Sequence, residues 1–185
     1  MSTPEQRLSS PERAALFALA RAALKAHLAG AAPPDLPPLT PELSRVAGVF
    51  VTLRRKGELR GCIGHPQAQL PLAEAVRELA VSAGFCDHRF KPLQAEELPE
   101  LSVELSVLSP LAPGTPEEVV VGQHGLLIRH RGRSGLLLPQ VASERSWDPE
   151  TFLRQTCRKA GLPDGSYLEP GCQLFLFSCE ICHEG

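Results

Sequence analysis

The stretch Val49-Phe50-Val51-Thr52-Leu53-Arg54-Arg55-Lys56-Gly57-Glu58-Leu59-Arg60-Gly61-Cys62-Ile63-Gly64 places two strand-like runs on either side of Lys56-Gly57. Such a turn between β-branched and aliphatic runs reads as a hairpin, with strands over residues 46–54 and 58–64. A two-residue loop sets Leu53 against Arg60 and Val51 against Cys62. A three-residue loop with Gly57 left-handed sets Arg54 against Glu58 and Leu53 against Leu59. The second register is preferred, because opposite charges pair and like side chains meet. It predicts a core face of Val49, Val51, Leu53, Leu59 and Ile63, and an opposite face carrying Thr52, Arg60 and Cys62.

On that second face Cys62 keeps company with a guanidinium. A neighbouring cation favours thiolate over thiol, and Gly61 and Gly64 admit a ligand or a second backbone, so a reactive cysteine is one reading. The other is that Cys62 is a small buried hydrophobe and that its glycines serve packing or a bulge. Residue spacing leaves both open.

At 185 residues the chain is long enough to bury a core without disulfides and suits one domain of two lobes. A formal net charge of −2 argues against a general binder of nucleic acid or acidic membranes. Arg13, Arg21 and Lys25 interrupt the first apolar helix, so an export signal is not expected and the cytoplasm is the expected compartment. The six cysteines are then expected as reduced thiols.

Ser10-Pro11-Glu12 starts a helix whose apolar face is Phe17, Ala20, Leu24 and Leu28, ending at Gly30. Residues 31–41 are too proline-rich for a helix or central strand and read as an ordered wrap or a linker leading to the hairpin. A second amphipathic helix follows Pro71, with Leu72, Ala75, Val76, Leu79 and Ala80 on one face. Residues 101–108 alternate as a strand, 126–130 and 134–138 form another hairpin around residues 131–133, and 119–121 could add a short strand. Asp148 caps a helix with Pro149 in its first turn and Trp147 stapled to Phe152. Residues 173–181 read as one last strand. Hairpin-linked strands with helices between them predict an α+β fold with antiparallel sheets.

Cys179-Glu180-Ile181-Cys182-His183 has the spacing of a haem attachment site and half that of a zinc or redox site, but its place at the tail of a strand opposes all three. No cofactor or metal is expected. His124 in Gln123-His124-Gly125 is a candidate general base for Cys62, or a turn residue. Asp87 with Arg89 reads equally as a ligand clamp or as an ion pair pinning a loop. The basic tips at residues 54–56 and 129–133 lack interleaved aromatics, which leaves nucleic-acid binding a minor alternative.

Leu59 to Gly64, together with Asp87-His88-Arg89-Phe90, Gly122-Gln123-His124-Gly125 and Leu138-Pro139-Gln140-Val141-Ala142 running to Glu144 and Trp147-Asp148, resembles the AMMECR domain family. The resemblance spans about residues 16–181. It implies a two-lobed α+β domain over residues 1–185, with an antiparallel sheet in each lobe and a groove between them. In the division expected here, residues 10–65 and about 111–185 form a larger lobe and about 66–110 a smaller one. It further implies association with a Memo-like protein and a radical-SAM protein, and no assigned activity. Carried onto this chain, the matching positions are Arg60, Gly61, Cys62, Gly64, Asp87, Arg89, Phe90, His124, Pro139, Glu144 and Trp147.

The expectation is a groove site in which Cys62 is nucleophile or acceptor thiol and His124 shuttles its proton. Arg60, Gly61, Gly64, Asp87, Arg89 and Glu144 would bind substrate. Whether this is an enzyme stays open. The alternatives are a non-catalytic binding module or adaptor using the same residues, and an RNA binder using the basic tips.

Overall fold

The computed structural model describes residues 7–67 and 69–184. The fold is α+β, with two four-stranded antiparallel sheets packed with helices. The first sheet contains β1 (Val49–Arg55), β2 (Glu58–His65), β3 (Leu101–Leu108) and β8 (Cys179–His183), in the order β2-β1-β3-β8. The second contains β4 (Ala112–Pro113), β5 (Gly125–His130), β6 (Arg133–Leu137) and β7 (Gln173–Phe177), in the order β4-β7-β5-β6.

The helices follow their sequence signals. α1 (Ser10–Leu28) begins with a capping box in which the Ser9 N–H donates to Glu12 Oε2 at 2.8 Å, and Gly30 follows its end with φ of 63°. α3 (Leu72–Phe85) buries Leu72, Ala75, Val76, Leu79, Ala80 and Ala83, the stripe expected of a helix packed on one side. A short α2 (Pro41–Ser44) precedes β1. In the second unit α4 (Pro139–Glu144) precedes α5 (Pro149–Lys159), which is capped by Asp148 accepting from the Thr151 N–H at 2.6 Å. Trp147 and Phe152 stand 6.5 Å apart, centroid to centroid.

Two compact units result. One comprises the chain up to Val107 together with the return from Glu180, and the other comprises Leu108–Cys179. In the first, α1 packs on α3, and α3 packs on the apolar face of β1 and β2. Val49, Val51, Leu53, Val103, Leu105 and Val107 are nearly solvent-free in that core. β8 is pinned to α1, with Glu180 accepting from Arg13 and from the Leu8 N–H, and Glu184 from Arg21. In the second, Leu126, Ile128, Leu174, Phe152, Leu153 and Cys157 form the core. The division falls elsewhere than expected: the hairpin and residues 66–107 share one core, because α3 lies on the sheet to which β1 and β2 belong.

Three local expectations are corrected. Residues 173–181 are not one strand; β7 ends at Phe177, and the chain crosses to the other sheet through Ser178, whose N–H donates to Ser109 Oγ at 2.9 Å. Residues 119–121 form no strand but follow a 3-10 turn over Pro116–Glu118, entered through Pro116. The hairpin turn is also shorter than predicted. Lys56 and Gly57 have φ of 52° and 84°, the geometry of a two-residue turn matched to strand twist, and Arg55 pairs with Glu58. Opposite charges therefore still meet, with Arg55 in the place expected of Arg54. A bulge at Arg60 then resets the register, giving Leu53↔Gly61, Thr52↔Cys62 and Val51↔Ile63. Leu59, expected in the core, pairs with Arg54 and stands 38% exposed.

Candidate functional site

The bulge decides where the signature residues go. Cys62 lies directly opposite Thr52 on the face away from α3, and the Thr52 hydroxyl donates to Cys62 Sγ at 3.2 Å. The thiol is half-buried. Gly61 takes the core-facing place opposite Leu53, where a Cβ would overlap the carbonyl oxygen of Ala83, so its lack of a side chain lets the α3 backbone lie directly on the strand. Gly64 makes room for the Phe50 ring in the same way. His65 pairs with Val49 and so faces away from Cys62. Both glycines are thus explained by packing.

β2 is an edge strand, and the loop after α3 covers its edge. The Cys62 N–H donates to Asp87 Oδ2 at 2.9 Å. Arg89 closes on the same carboxylate, Nε to Oδ1 at 2.9 Å and Nη2 to Oδ2 at 2.6 Å, and its own N–H adds a bond to Oδ1 at 3.2 Å. Asp87 is only 7% exposed, yet its charge is fully held. The hydrogen bonds from Arg89 keep its carboxyl well below the usual range, outweighing the opposing effect of burial. Arg89 in turn is held more firmly charged, first by Asp87 and also by the nearby Cys62 sulfur. Asp87 and Arg89 therefore pin the loop, as one of the two readings expected.

Arg60 is spent differently. Its Nε and Nη2 form a fork on Glu97 at 2.7 and 2.9 Å, Nη2 also donates to the Lys91 carbonyl at 3.0 Å, and the guanidinium lies 5.9 Å from the Phe90 centroid. Arg89 lies 5.5 Å from that ring centroid. The fork draws the Glu97 carboxyl down to about 2, and the same carboxylate accepts from the Gln94 N–H at 2.9 Å. The cation whose charge is tied to Cys62 is therefore Arg89, whereas Arg60 serves Glu97. Sequence reasoning missed Glu97, although Gln94-x-x-Glu97 has the spacing of a helix-start box that would have flagged it as a buried acceptor.

Cys62, Arg60, Gly61, Gly64, Asp87 and Arg89 come together in the first unit, while His124 and Glu144 belong to the second. The Nδ1 of His124 accepts the Val120 N–H of its own turn at 3.2 Å, so the lone pair a base would use is engaged. Glu144 ends α4 and is exposed. Cys179 and Cys182, three apart in β8, face opposite sides of the sheet. Among the described residues no cluster of three His, Cys, Asp or Glu side chains could hold a metal ion, and no helix is long and apolar enough to cross a membrane.

Several cations of the basic tips have acidic partners within the fold. Arg54 pairs with Glu104 at 3.4 Å, Arg55 and Lys56 with Glu100 at 2.6 and 2.9 Å, and Arg131 with Glu169 at 2.8 Å. Arg133 donates to the Gly161 carbonyl, and Arg129 lies over Phe175.

The AMMECR1 family model matches residues 17–182. A curated protein of Methanothermobacter thermautotrophicus is 44% identical over 185 residues, an alignment covering 96% of each chain. One from Thermococcus kodakarensis is 46% identical over 181 residues, covering 91% of this chain and 88% of the other. The crystal structure of an uncharacterised protein from Pyrococcus horikoshii matches with a TM-score of 0.83 at 42% identity, covering 91% of this chain and 89% of that one.

Proposed function

The chain belongs to the AMMECR1 family, and from that premise we propose that its activity resides at Cys62, acting as a nucleophile or acceptor thiol. The observation that carries the reading is the shared carboxylate oxygen: Asp87 Oδ2 accepts from both the Cys62 N–H and Arg89 Nη2, so a buried acid fixes a cation beside a half-buried thiol. Thr52 supplies a hydroxyl donor at the sulfur, Arg89 supplies charge, and Asp87 positions both. Arg60 and His124, first expected to stabilise the thiolate and to shuttle its proton, have no part in this version, because each is engaged elsewhere. The association with a Memo-like protein and a radical-SAM protein belongs to the same proposal and rests on the resemblance alone.

The experiment is peptide-resolved alkylation of the native protein with iodoacetamide, with the exposed Cys86 as internal reference. An activated Cys62 reacts faster than Cys86 despite being less accessible. Labelling of Cys62 slower than Cys86, and only as fast as the protein unfolds, would remove the thiol chemistry.

One observation favours a second reading, a non-catalytic binding module: Arg60, Gly61 and Gly64 are all consumed in holding the strand to α3, Glu97 and Phe50. An adaptor of this kind keeps its partner when Cys62 is changed to Ser and loses it on Arg89→Glu. The nucleic-acid reading gains nothing from the paired basic tips.

A further inference from the structure

We infer that the Cys62 site recognises an oxyanion, a carboxylate or phosphate carried beside the atom that meets the sulfur, and that Arg89 is its ligand. The inference rests on the reading of Cys62 as a reactive thiol and adds to it the class of molecule that thiol would meet. Its basis is a donor count. A guanidinium has five N–H donors in a rigid fork, and Arg89 commits two of them to Asp87. The remaining three, including both on Nη1, belong to a side chain that is 57% exposed. Asp87 cannot take more of them, since its two oxygens already accept Arg89 Nε, Arg89 Nη2, the Arg89 N–H and the Cys62 N–H.

Orientation is fixed as well as charge. The Asp87 fork fixes one edge of the guanidinium, and Phe90 lies beneath it with its ring centroid 5.5 Å away. The carboxylate that holds it also accepts the main-chain N–H of Cys62, so the cation and the backbone that carries the thiol are two hydrogen bonds apart along the chain Nη2, Oδ2, N. The neighbouring charges do not oppose an anion. Glu97 is matched by Arg60 and Arg55, Glu104 by Arg54, and His88 and Lys91 in the same loop are exposed. A fixed, partly satisfied guanidinium is the arrangement by which proteins take carboxylate or phosphate in a bidentate grip.

Two alkylating reagents that differ only in charge test this. In both, the Cys62 sulfur bonds to the methylene carbon, iodide leaves with its electron pair and the thiol proton passes to buffer. Iodoacetate carries a carboxylate next to that carbon; iodoacetamide carries a neutral amide. The ratio of the two rates at Cys62 is compared between the folded protein and the same protein in urea. The expected result is a ratio raised about fivefold by folding, the size of an ion pair at a part-exposed site. Arg89→Gln removes the gain, Arg89→Lys keeps part of it, and inorganic phosphate slows iodoacetate more than iodoacetamide on the unaltered protein. A ratio unchanged by folding, together with fast iodoacetamide labelling, overturns the oxyanion site and leaves the reactive thiol standing. Failure of both reagents on the folded protein overturns the thiol reading itself. The phosphate arm needs no variant, so a failure of Arg89→Gln to fold does not spare the inference.

Discussion

Asp87 and Cys62 are joined side chain to main chain, across 25 residues of sequence, by a 2.9 Å hydrogen bond that seals the edge of the first sheet. The acceptor is buried, so the bond is partly shielded from water even though the strand is an edge. Asp87→Asn keeps one oxygen but cannot serve both Cys62 and Arg89. The expected cost is about 2 kcal/mol, that of leaving a buried hydrogen-bonding group short of a partner. Urea denaturation measures it, and hydrogen exchange at the Cys62 amide should quicken alongside. Arg89→Gln leaves the buried Asp87 carboxylate without the cation that holds its charge and should cost more, about 3 kcal/mol. A loss below about 1 kcal/mol for Arg89→Gln would mean that the main-chain bonds alone hold the loop.

Acid should undo the same region. Asp87 and Glu97 both titrate lower in the fold than in the unfolded chain, the first through Arg89 and the second, down to about 2, through Arg60. For a lowered carboxyl, the unfolded state binds protons first as pH falls. The contribution is thus complete above the unfolded value of about 4 and drains away as pH drops from there towards 2. Glu97→Gln should cost about 3 kcal/mol at neutral pH, because it strands a mostly buried Arg60. Its melting temperature should then fall less than that of the native protein between pH 5 and pH 3. Parallel curves would assign the acid sensitivity to other carboxylates.

Much of this fold could be read from alternation and capping. The stripes of α1 and α3, the alternation of β3 and the Asp148 cap each have a local cause and stand where expected. The hairpin register did not yield, because two loops satisfied the same charge rule. Arg54 against Glu58 and Arg55 against Glu58 look alike in sequence, and only the packing of α3 on Gly61 calls for the bulge that separates them. The strand break at Ser178 depends on a distant partner, Ser109. In the site, Cys62 is legible from its hairpin face and flanking glycines and Asp87 with Arg89 from their charges, and the resemblance matches all three. The exchange of cations, Arg89 for Arg60, turns on Glu97, which lies 37 residues from Arg60 and is invisible to a local reading.

Gly61 offers the sharpest steric test. A methyl group there meets main-chain atoms of α3, which cannot rotate away as a side chain would. Gly61→Ala should therefore force the helix off the strand, at about 3 kcal/mol or more, the upper end of overpacking costs. Gly165→Ala is the control, because it has open space around its Cβ position and φ of −91°. Thermal melts of the pair decide it: a mild Gly61→Ala would mean that α3 is free to shift, and that the glycine serves approach of a ligand after all.

The terminal Cys-x-x-Cys-His segment makes a different prediction, because strand geometry separates what sequence spacing joins. Cys182 is 2% exposed in the first core, and burial pushes its thiol up to about 11. Cys179 stands on the opposite face of β8. The two sulfurs cannot converge on one ion without breaking the strand that Glu180 and Glu184 pin to α1. Added zinc should leave the melting temperature unchanged, and Cys182 should be alkylated only at the rate of global unfolding, long after exposed Cys86. Cys182→Ala should cost about 1 kcal/mol by leaving a small cavity, with no change at Cys62. A zinc-dependent rise in melting temperature that is lost on Cys179→Ser would show instead that β8 opens to bring the pair together.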